Sequence, residues 1–513
     1  MNERCMSISL QWRDRRRDAA WHHRGTWRFV LLSKVVRTLY VFALLGLFLV
    51  SAPAWGQTND EVNAGVQFNF TPPGARSLGL GGAFLATADD ATAAVTNPAG
   101  LIGLTRMEFS IEGLYEKLTH QFSDFGHAFG DPTGDGIDVI GGVQTGGASS
   151  NLFGISFLSV VYPGDDRWSM AMYRHEIVNF ETAYQRQGVF FNSIVTGVPP
   201  GDLRRVFPAI ADIDLHITNY GVAGGYQVSK SVSLGAAVYI GDFGIASSMQ
   251  RFDPRQGGRG AAGRALVTQP ANYSPENLAN AQFQSGADRR LGLTFGGLWV
   301  INDQWRLGGV ARPGPKYDYD VRDTIGPNDP SGTPGTLKSL PATFKVPDQY
   351  GIGLSYQPTT NWRVNLDYDR IQYSQMTDNL TKILSDRSDD VTAEDSNEFH
   401  VGVEYSFLRR SPIVIRGGMW YEPDHRMVYR GIAQSEVEQR EQIVFRPGDD
   451  LWHVSGGAGM IFADRYLLDA ALDYSDLRTQ ATLYFTVQFG NPGASTVLAP
   501  ENATTGAGTR KDQ

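Results

Sequence analysis

The stretch Gly74–Leu104, GARSLGLGGAFLATADDATAAVTNPAGLIGL, decides how the rest of the chain is read. It is built of small residues and carries three charges, Arg76, Asp89 and Asp90. Small side chains let backbone approach backbone, and glycine supplies turns that other residues resist. Asp89 or Asp90 is placed to cap a short helix through Ala94, which Asn97-Pro98 then breaks. A compact segment with so little charge suits the inside of something larger, and the chain beyond Leu104 has the pattern of a large membrane barrel.

The residues before Gly74 read as an export signal. Leu39 to Val50, LYVFALLGLFLV, comes after Lys34 and Arg37 and leads into Ala52-Pro53-Ala54-Trp55-Gly56. The apolar run has signal-peptide length, and Ala54 and Gly56 suit cleavage before Gln57. Residues 1–33 form a basic extension that adds nothing a signal needs, so a translation start nearer the apolar run is expected. Of the 45 basic and 54 acidic residues, nine and three precede Gln57, which leaves the remainder at a net −15. That balance lacks the basic footprint of a nucleic-acid binder. The single cysteine, Cys5, lies in the expected signal, so neither a disulfide nor a thiolate metal site is expected in the mature chain.

After Leu104 the hydrophobic period becomes two. Strands are read near 107–118, 151–162, 166–182, 211–229, 231–252, 287–301, 304–320, 344–357, 361–374, 396–410, 412–424, 451–463, 465–475 and 477–489. Connections alternate between long (119–150, 183–210, 253–286, 321–343, 375–395, 425–450) and short, the last hairpin near Ser475-Asp476 being the exception. A transmembrane barrel has short turns on the periplasmic side and long loops outside. Trp362, Val364, Leu366 and Tyr368 alternate with Arg363, Asn365, Asp367 and Asp369; Phe399, Val401, Val403 and Tyr405 alternate with Glu398, His400 and Glu404; Leu468 and Leu472 alternate with Asp469 and Asp473. The apolar set faces lipid. The carboxylates cannot sit in a dry sandwich core, but a lumen accepts them, paired with Arg363, Arg416 or Arg76. The expectation is an all-β transmembrane antiparallel barrel of about 14 strands, with an N-terminal plug in its lumen.

GAR…G.GGAF.A.ADDATAA…NPAGL resembles the plug of FadL-type (OMPP1/FadL/TodX) outer-membrane transporters of long-chain fatty acids and other hydrophobic compounds. VPDQYGIGLSYQPTTNWRVNLDYD, SNEFHVGVEYSF…IVIRGGMWYEPDH and GAGMIFADRYLLDAALDY resemble strands of such barrels. Together with the export signal read over 1–56, the resemblance implies a plug over 57–106 and a fourteen-stranded barrel over 107–489; composition makes 490–513 a disordered polar tail. It departs from the family in that tail, which comes after Phe489 where such barrels usually end on an aromatic residue. The implied plug and gate residues are Gly74, Arg76, Gly81, Gly82, Asp89, Asp90, Asn97, Pro98, Ala99 and Gly100. The third strand, with Met172, Arg174 and Glu176, is the candidate for a lateral gap. Its alternation points Arg174 and Glu176 at lipid, so either the strand has reached the rim there or a bulge changes its register.

Other chemistry is weaker. DPTGDG at Asp131–Gly136, with Asp138, resembles a calcium loop, but Gly142 stands where a bidentate Glu is needed, so a solvated turn is expected. His120, His127, His175 and His216 follow no triad or metal spacing and are expected at an exposed rim. No metal site, cofactor or enzymatic activity is expected. The expected function is passive uptake of hydrophobic molecules, fatty acids or hydrocarbons, across the outer membrane of a Gram-negative bacterium. The expected surroundings are the bilayer, lipopolysaccharide and the barrel-assembly machinery, with the barrel a monomer. A secretion or surface-attachment partner is the main alternative, and a rim hydrolase the third.

Overall fold

The computed structural model describes residues 70–165, 167–194, 203–254, 267–327, 335, 337–377, 391–407 and 411–490. The expected signal and the tail beyond Gly490 lie outside these residues. Fourteen antiparallel strands close into one barrel. They are β1 (Met107–Ala128), β2 (Gly142–Asp165), β3 (Trp168–Arg186), β4 (Ala209–Ser229), β5 (Val232–Phe252) and β6 (Leu278–Val300). Next come β7 (Trp305–Arg312, resuming as Lys316–Ile325), β8 (Leu337–Lys345, resuming as Gln349–Tyr356), β9 (Trp362–Ile371) and β10 (Ser396–Phe407). The circuit ends with β11 (Ile413–Glu422), β12 (Leu451–Phe462), β13 (Tyr466–Tyr474) and β14 (Arg478–Phe489). β1 closes the ring against β14, from Met107↔Phe489 to Leu118↔Arg478.

The alternation read from the sequence is the alternation of the wall. Trp362, Leu366, Phe399, Val401, Leu472 and Tyr474 are exposed on the outside, whereas Asn365, Asp367, Glu398, His400, Glu404, Asp469 and Asp473 are buried inside. A closed barrel leaves no edge, and its outer face can be apolar because lipid rather than water covers it.

Strand boundaries differ where alternation fails. β1 runs on to Ala128 and β2 begins at Gly142, so the first long connection is 129–141 rather than 119–150. These extensions carry small and polar residues on both faces, which leaves no period-two signal to read. β7 and β8, read as continuous, are interrupted at Pro313-Gly314-Pro315 and Val346-Pro347-Asp348. Proline has no N–H to give to a ladder. β6 accordingly pairs with β7 from Phe295↔Ala311 to Val300↔Arg306 and again from Ser285↔Asp320 to Asn280↔Ile325, with 286–294 unpaired on that side.

A second interruption lies between β2 and β3. Their ladder runs from Asp165↔Trp168 to Phe157↔His175 and stops, after which β3 continues against β4 alone. A register shift between Glu176 and Val178 marks the spot. Of the two readings of the third strand, the bulge is the one observed. Arg174 and Glu176 are half-buried and paired at 2.7 Å instead of facing lipid. The bulge needs no glycine because the extra residue, Ile177, lies in extended backbone.

The long-loop rim is closed over by loops. Short strands Phe190–Asn192 and Leu203–Arg205 pair with each other, and the first adds in parallel to His127–Ala128. The helix Glu436–Val444 sits over them, started by a capping box between Ser435 and Glu438. The loop histidines correct their expected exposure. His127 and Asp138 are both buried, with Nδ1 and Oδ1 2.8 Å apart, because 129–141 folds back onto the rim. His120 is buried among aromatics, while His216 is exposed as expected.

Candidate functional site

Residues 74–104 lie inside the barrel as two short helices, Ala75–Gly79 and Ala93–Thr96, and a 3-10 turn, Pro98–Gly103. Each is too short to be stable alone; the wall holds them. Gly81 and Gly82 make the turn that follows the first helix with φ of 62° and 81°, which side chains resist. Asp90 is buried and accepts from the N–H and hydroxyl of Thr92, the residue that precedes the second helix, so it ties that residue down without capping the helix itself. Burial pushes the Asp90 carboxyl above its usual range.

Two different surfaces hold the plug. Toward β9–β13 the contact is polar. Both oxygens of Glu404 receive Arg76, Nε at 3.0 Å and Nη2 at 3.3 Å, and Arg416 Nε donates to the same carboxylate at 2.8 Å. Arg76 reaches Asp89 at 2.5 Å, and Arg416 also pairs with Asp469. Arg363 and Arg306 complete the cluster at 3.6 Å from Glu404 and 3.7 Å from Asp89. Burial works against the charge on Arg76, but Asp89 and Glu404 outweigh it and hold its pKa above the usual value. One oxygen of Asp367 accepts from the backbone N–H groups of Phe84 and Leu85, both at 2.7 Å. Asn365 donates to the Ala83 carbonyl, and His400 Nδ1 lies 2.7 Å from the Gly81 carbonyl oxygen. Arg76 and the plug's backbone donors thus meet lumen carboxylates, at Glu404 and at Asp367. Asp469 is satisfied by Arg416, and Asp473 by His453 and Trp420, away from the plug. Asp369 and Glu398 stand 3.6 Å from His400 Nε2.

Toward β2–β5 the contact is mainly apolar, with a polar link from Ser233 Oγ to the Ala99 carbonyl at 3.0 Å. Leu78, Phe84, Leu101 and Leu104 pack in one buried cluster with Phe157, Val161, Tyr173, Ala223, Ala237 and Tyr239. The turn Asn97-Pro98-Ala99 joins the two surfaces. Asn97 Nδ2 donates to the carbonyls of Leu85 at 2.9 Å and of Gly297 on β6 at 3.1 Å, while its Oδ1 receives the Ala99 N–H at 3.3 Å. Pro98 is the first residue of the 3-10 turn, where a missing N–H costs nothing. Arg312 on β7 reaches the Thr96 carbonyl at 2.5 Å.

Wall glycines are the feature that sequence reading missed. A Cβ at Gly418 would stand 2.2 Å from Gly81 N, one at Gly235 2.2 Å from Ala99 N, and one at Gly308 2.3 Å from the Leu85 carbonyl. The plug backbone therefore lies directly on the wall. Glycines within strands β4, β5, β6, β7, β8, β10 and β11 were the available signal.

A cavity of ≈ 140 Å³ remains between plug and wall. Leu78, Leu114, Leu118, Val178, Phe180 and Tyr239 line it, with Arg312, Glu116 and Arg478 at its polar corners. It extends to His175, Glu176 and Ile177, the residues at the β2–β3 interruption. There Arg174 reaches from β3 to the Ile155 carbonyl on β2, a group beyond the end of the β2–β3 ladder, and Glu176 receives both Arg174 and Asn179. Met172 points outward from the same strand and is exposed. Among the described residues no cluster suited to a metal ion is found.

The description "Outer membrane protein transport protein (OMPP1/FadL/TodX)" matches residues 64–483. A FadL homologue of Pseudomonas aeruginosa superposes with a TM-score of 0.53 at 14% identity, over 85% of this chain and 99% of that one. A deltaS2 mutant of the monoaromatic hydrocarbon channel TodX gives 0.50 at 15%, over 82% and 100%. The toluene transporter TbuX of Ralstonia pickettii gives 0.49 at 14%, over 82% and 100%. At these identities the likeness is one of fold. No curated protein sequence matches the chain.

Proposed function

The chain belongs to the outer-membrane transport protein family OMPP1/FadL/TodX, whose members carry hydrophobic compounds across the outer membrane, and from that premise we propose that it admits long-chain fatty acids or hydrocarbons by passive diffusion past a movable plug. The observation that carries this reading is the cavity between plug and wall, apolar along Leu114, Leu118, Val178 and Phe180 and reaching the β2–β3 interruption. A hydrophobic molecule held there is one bulge away from the bilayer. In this reading residues 57–106 are the plug, 107–489 the barrel, and the long loops face outward from the cell. The barrel acts as a monomer among lipopolysaccharide and phospholipid, after delivery by the assembly machinery, and needs no cofactor.

The direct test is uptake of radiolabelled oleate and of toluene by cells carrying the full chain, against cells without it. Faster entry of either supports transport. Entry of neither leaves the secretion or attachment role as the better account.

The side route makes its own prediction. Arg174→Ala removes a side-chain bond that spans the interruption. An exposed hydrogen bond of this kind contributes about 1 kcal/mol net, so uptake is expected to rise up to about fivefold. An unchanged rate in R174A, with the parent's heat-resistant gel mobility, would place the exit elsewhere.

A further inference from the structure

The ladder between β6 and β7 is absent over 286–294, and the inner cavity lies behind the gap. Thr294 and Arg312, which flank the end of the gap nearer the short turn, both line that cavity, as do Tyr239, Gly314 and Val346. On the outer face Leu291 is 72% exposed, and Val238, Ile240 and Phe295 beside it are exposed too, so lipid meets the gap from outside. The gap follows from the sequence. Pro313, Pro315 and Pro347 have no N–H to give to a ladder. β7 and β8 crease there as one unit, since Asp348 accepts the Gly314 N–H at 2.8 Å and Lys345 Nζ donates to the Gly314 carbonyl and to Asp348, both at 2.6 Å. β6 does not follow the crease, because its ladder to β5 is unbroken from Gly286↔Ile245 to Thr294↔Ala237.

Side chains close the gap where backbone does not. Toward solvent, Arg290 stands 2.5 Å from Asp318 and 2.8 Å from Asp288, and Asp288 also accepts the Asp318 N–H at 2.8 Å. These groups are partly exposed, and ion pairs of that kind hold weakly. Toward the lumen, Tyr317 reaches from β7 across β6 to β5: a Cβ at Gly241 would stand 1.9 Å from its hydroxyl oxygen. Its ring stacks on Phe243 at 4.9 Å and 8°, and the Tyr239 ring covers Gly292 of β6 from the same side. A buried tyrosine usually gives its hydroxyl a partner. Tyr317 is fully buried, yet its hydroxyl has none among the described residues. Stacking and packing alone hold this ring, so it swings aside without breaking a hydrogen bond.

Resting on the transport reading, we propose that the β6–β7 gap is a second side port of the inner cavity, with Tyr317 as its shutter and the Arg290–Asp318 pair as its clasp. It lies four strands round the wall from the β2–β3 interruption. An uncharged apolar molecule in the cavity then has two ways into the bilayer. At the second, parting the strands breaks the clasp but no ladder, whereas parting β6 from β5 at the same level would break a continuous run of backbone bonds. The rings of Tyr239, Phe243 and Tyr317 give a flat or slender hydrocarbon contact on its way through.

The test uses the full chain in cells and the entry of radiolabelled toluene. Cys5, the single cysteine, lies in the expected signal, so introduced cysteines are the only thiols expected in the mature barrel. Asp288→Cys with Asp318→Cys puts one on each side of the gap, within reach of a short bis-methanethiosulfonate bridge that dithiothreitol removes. Loss of both carboxylates also undoes the clasp, so the unbridged chain is expected to take up toluene faster than the parent. Bridging is expected to lower entry severalfold below the unbridged form, and dithiothreitol to restore it. Tyr317→Ala, with the parent's heat-resistant gel mobility, is expected to raise entry severalfold by itself. Asp242→Cys with Arg289→Cys, bridged across the continuous β5–β6 ladder, is expected to match its own unbridged form. Four results overturn the proposal while leaving transport intact: equal entry in the bridged and unbridged 288–318 chain, an equal fall on bridging 242 to 289, an unchanged rate in Tyr317→Ala, or a parent that admits oleate without toluene. Failure of the parent to admit either probe overturns the proposal together with the transport reading beneath it.

Discussion

Replacing Glu404 with Gln is expected to leave a heat-resistant barrel in the membrane and to make it leak small polar solutes. Glu404 is buried and receives Arg76 at 3.0 Å and Arg416 at 2.8 Å, with Arg363 at 3.6 Å. Removing its charge leaves these guanidiniums with Asp89 and Asp469 as the remaining carboxylates in contact. Breaking a buried pair by deleting one partner costs about 3–5 kcal/mol. The barrel wall is not where that cost falls. β10 meets its neighbours at this height through the Arg363↔Glu404 and Glu404↔Arg416 backbone ladders, which the substitution does not touch. Relief is available to the plug, because only Arg76 belongs to a segment free to move. If most of the cost appears in the seating equilibrium, the unseated fraction rises about a hundredfold or more. Swelling of proteoliposomes in small sugars reads this out, and gel mobility with and without heating checks assembly. A variant no leakier than the parent would show that the apolar side of the plug seats it unaided. Adding Arg76→Gln should recover part of the seal, since it removes one of the stranded charges; strict additivity of the two changes would argue against direct coupling.

The parts legible in the sequence are those that one strand can announce by itself. Trp362 to Asp369 and Phe399 to Glu404 have lipid on one side and lumen on the other, and period two results from that alone. Asn97-Pro98 was legible as a break for the same local reason. Beyond the apolar band both faces meet polar surroundings, so Thr119–Ala128 and Gly142–Ser150 extend the wall without a signal. The interruption of β7 was announced by Pro313 and Pro315 but is bridged in period by the residues on either side. Ser435-x-x-Glu438 likewise marked a helix start inside a stretch read only as loop. Arg76, Arg363 and Arg416 were legible as partners for the lumen carboxylates, but their convergence on Glu404 was not. Which arginine meets which carboxylate depends on the stagger of three strands and on where the plug turns at Gly81-Gly82. The sequence supplied charges of both signs on the inward face, and only the closed barrel decided their pairing.

Asn97 is where the plug should be most sensitive to a change of one atom. Its amide donates to the carbonyls of Leu85 and Gly297 and accepts from the N–H of Ala99, so one side chain joins both halves of the plug to β6. It is fully buried, and Gly296 leaves it room, since a Cβ there would stand 2.2 Å from Oδ1. Asn97→Ala removes all three bonds and leaves buried carbonyls and an N–H without them, at about 1–3 kcal/mol for each group that finds no water. The strand ladders are unaffected, so assembly should persist while uptake of labelled oleate changes severalfold. Asn97→Asp is the sharper experiment. It keeps the shape and the acceptor for Ala99, but it turns a donor into an oxygen facing two carbonyl oxygens, and it buries a charge with no cation in contact. If the turn acts as a polar staple, Asp should disturb uptake and sealing more than Ala, although Ala removes more atoms. If the turn matters only as filled volume, the order reverses, because Asp matches Asn in size and Ala leaves a hole. The two variants side by side, scored by oleate uptake and sugar leakage, therefore decide whether hydrogen bonds or packing hold the gate at this point.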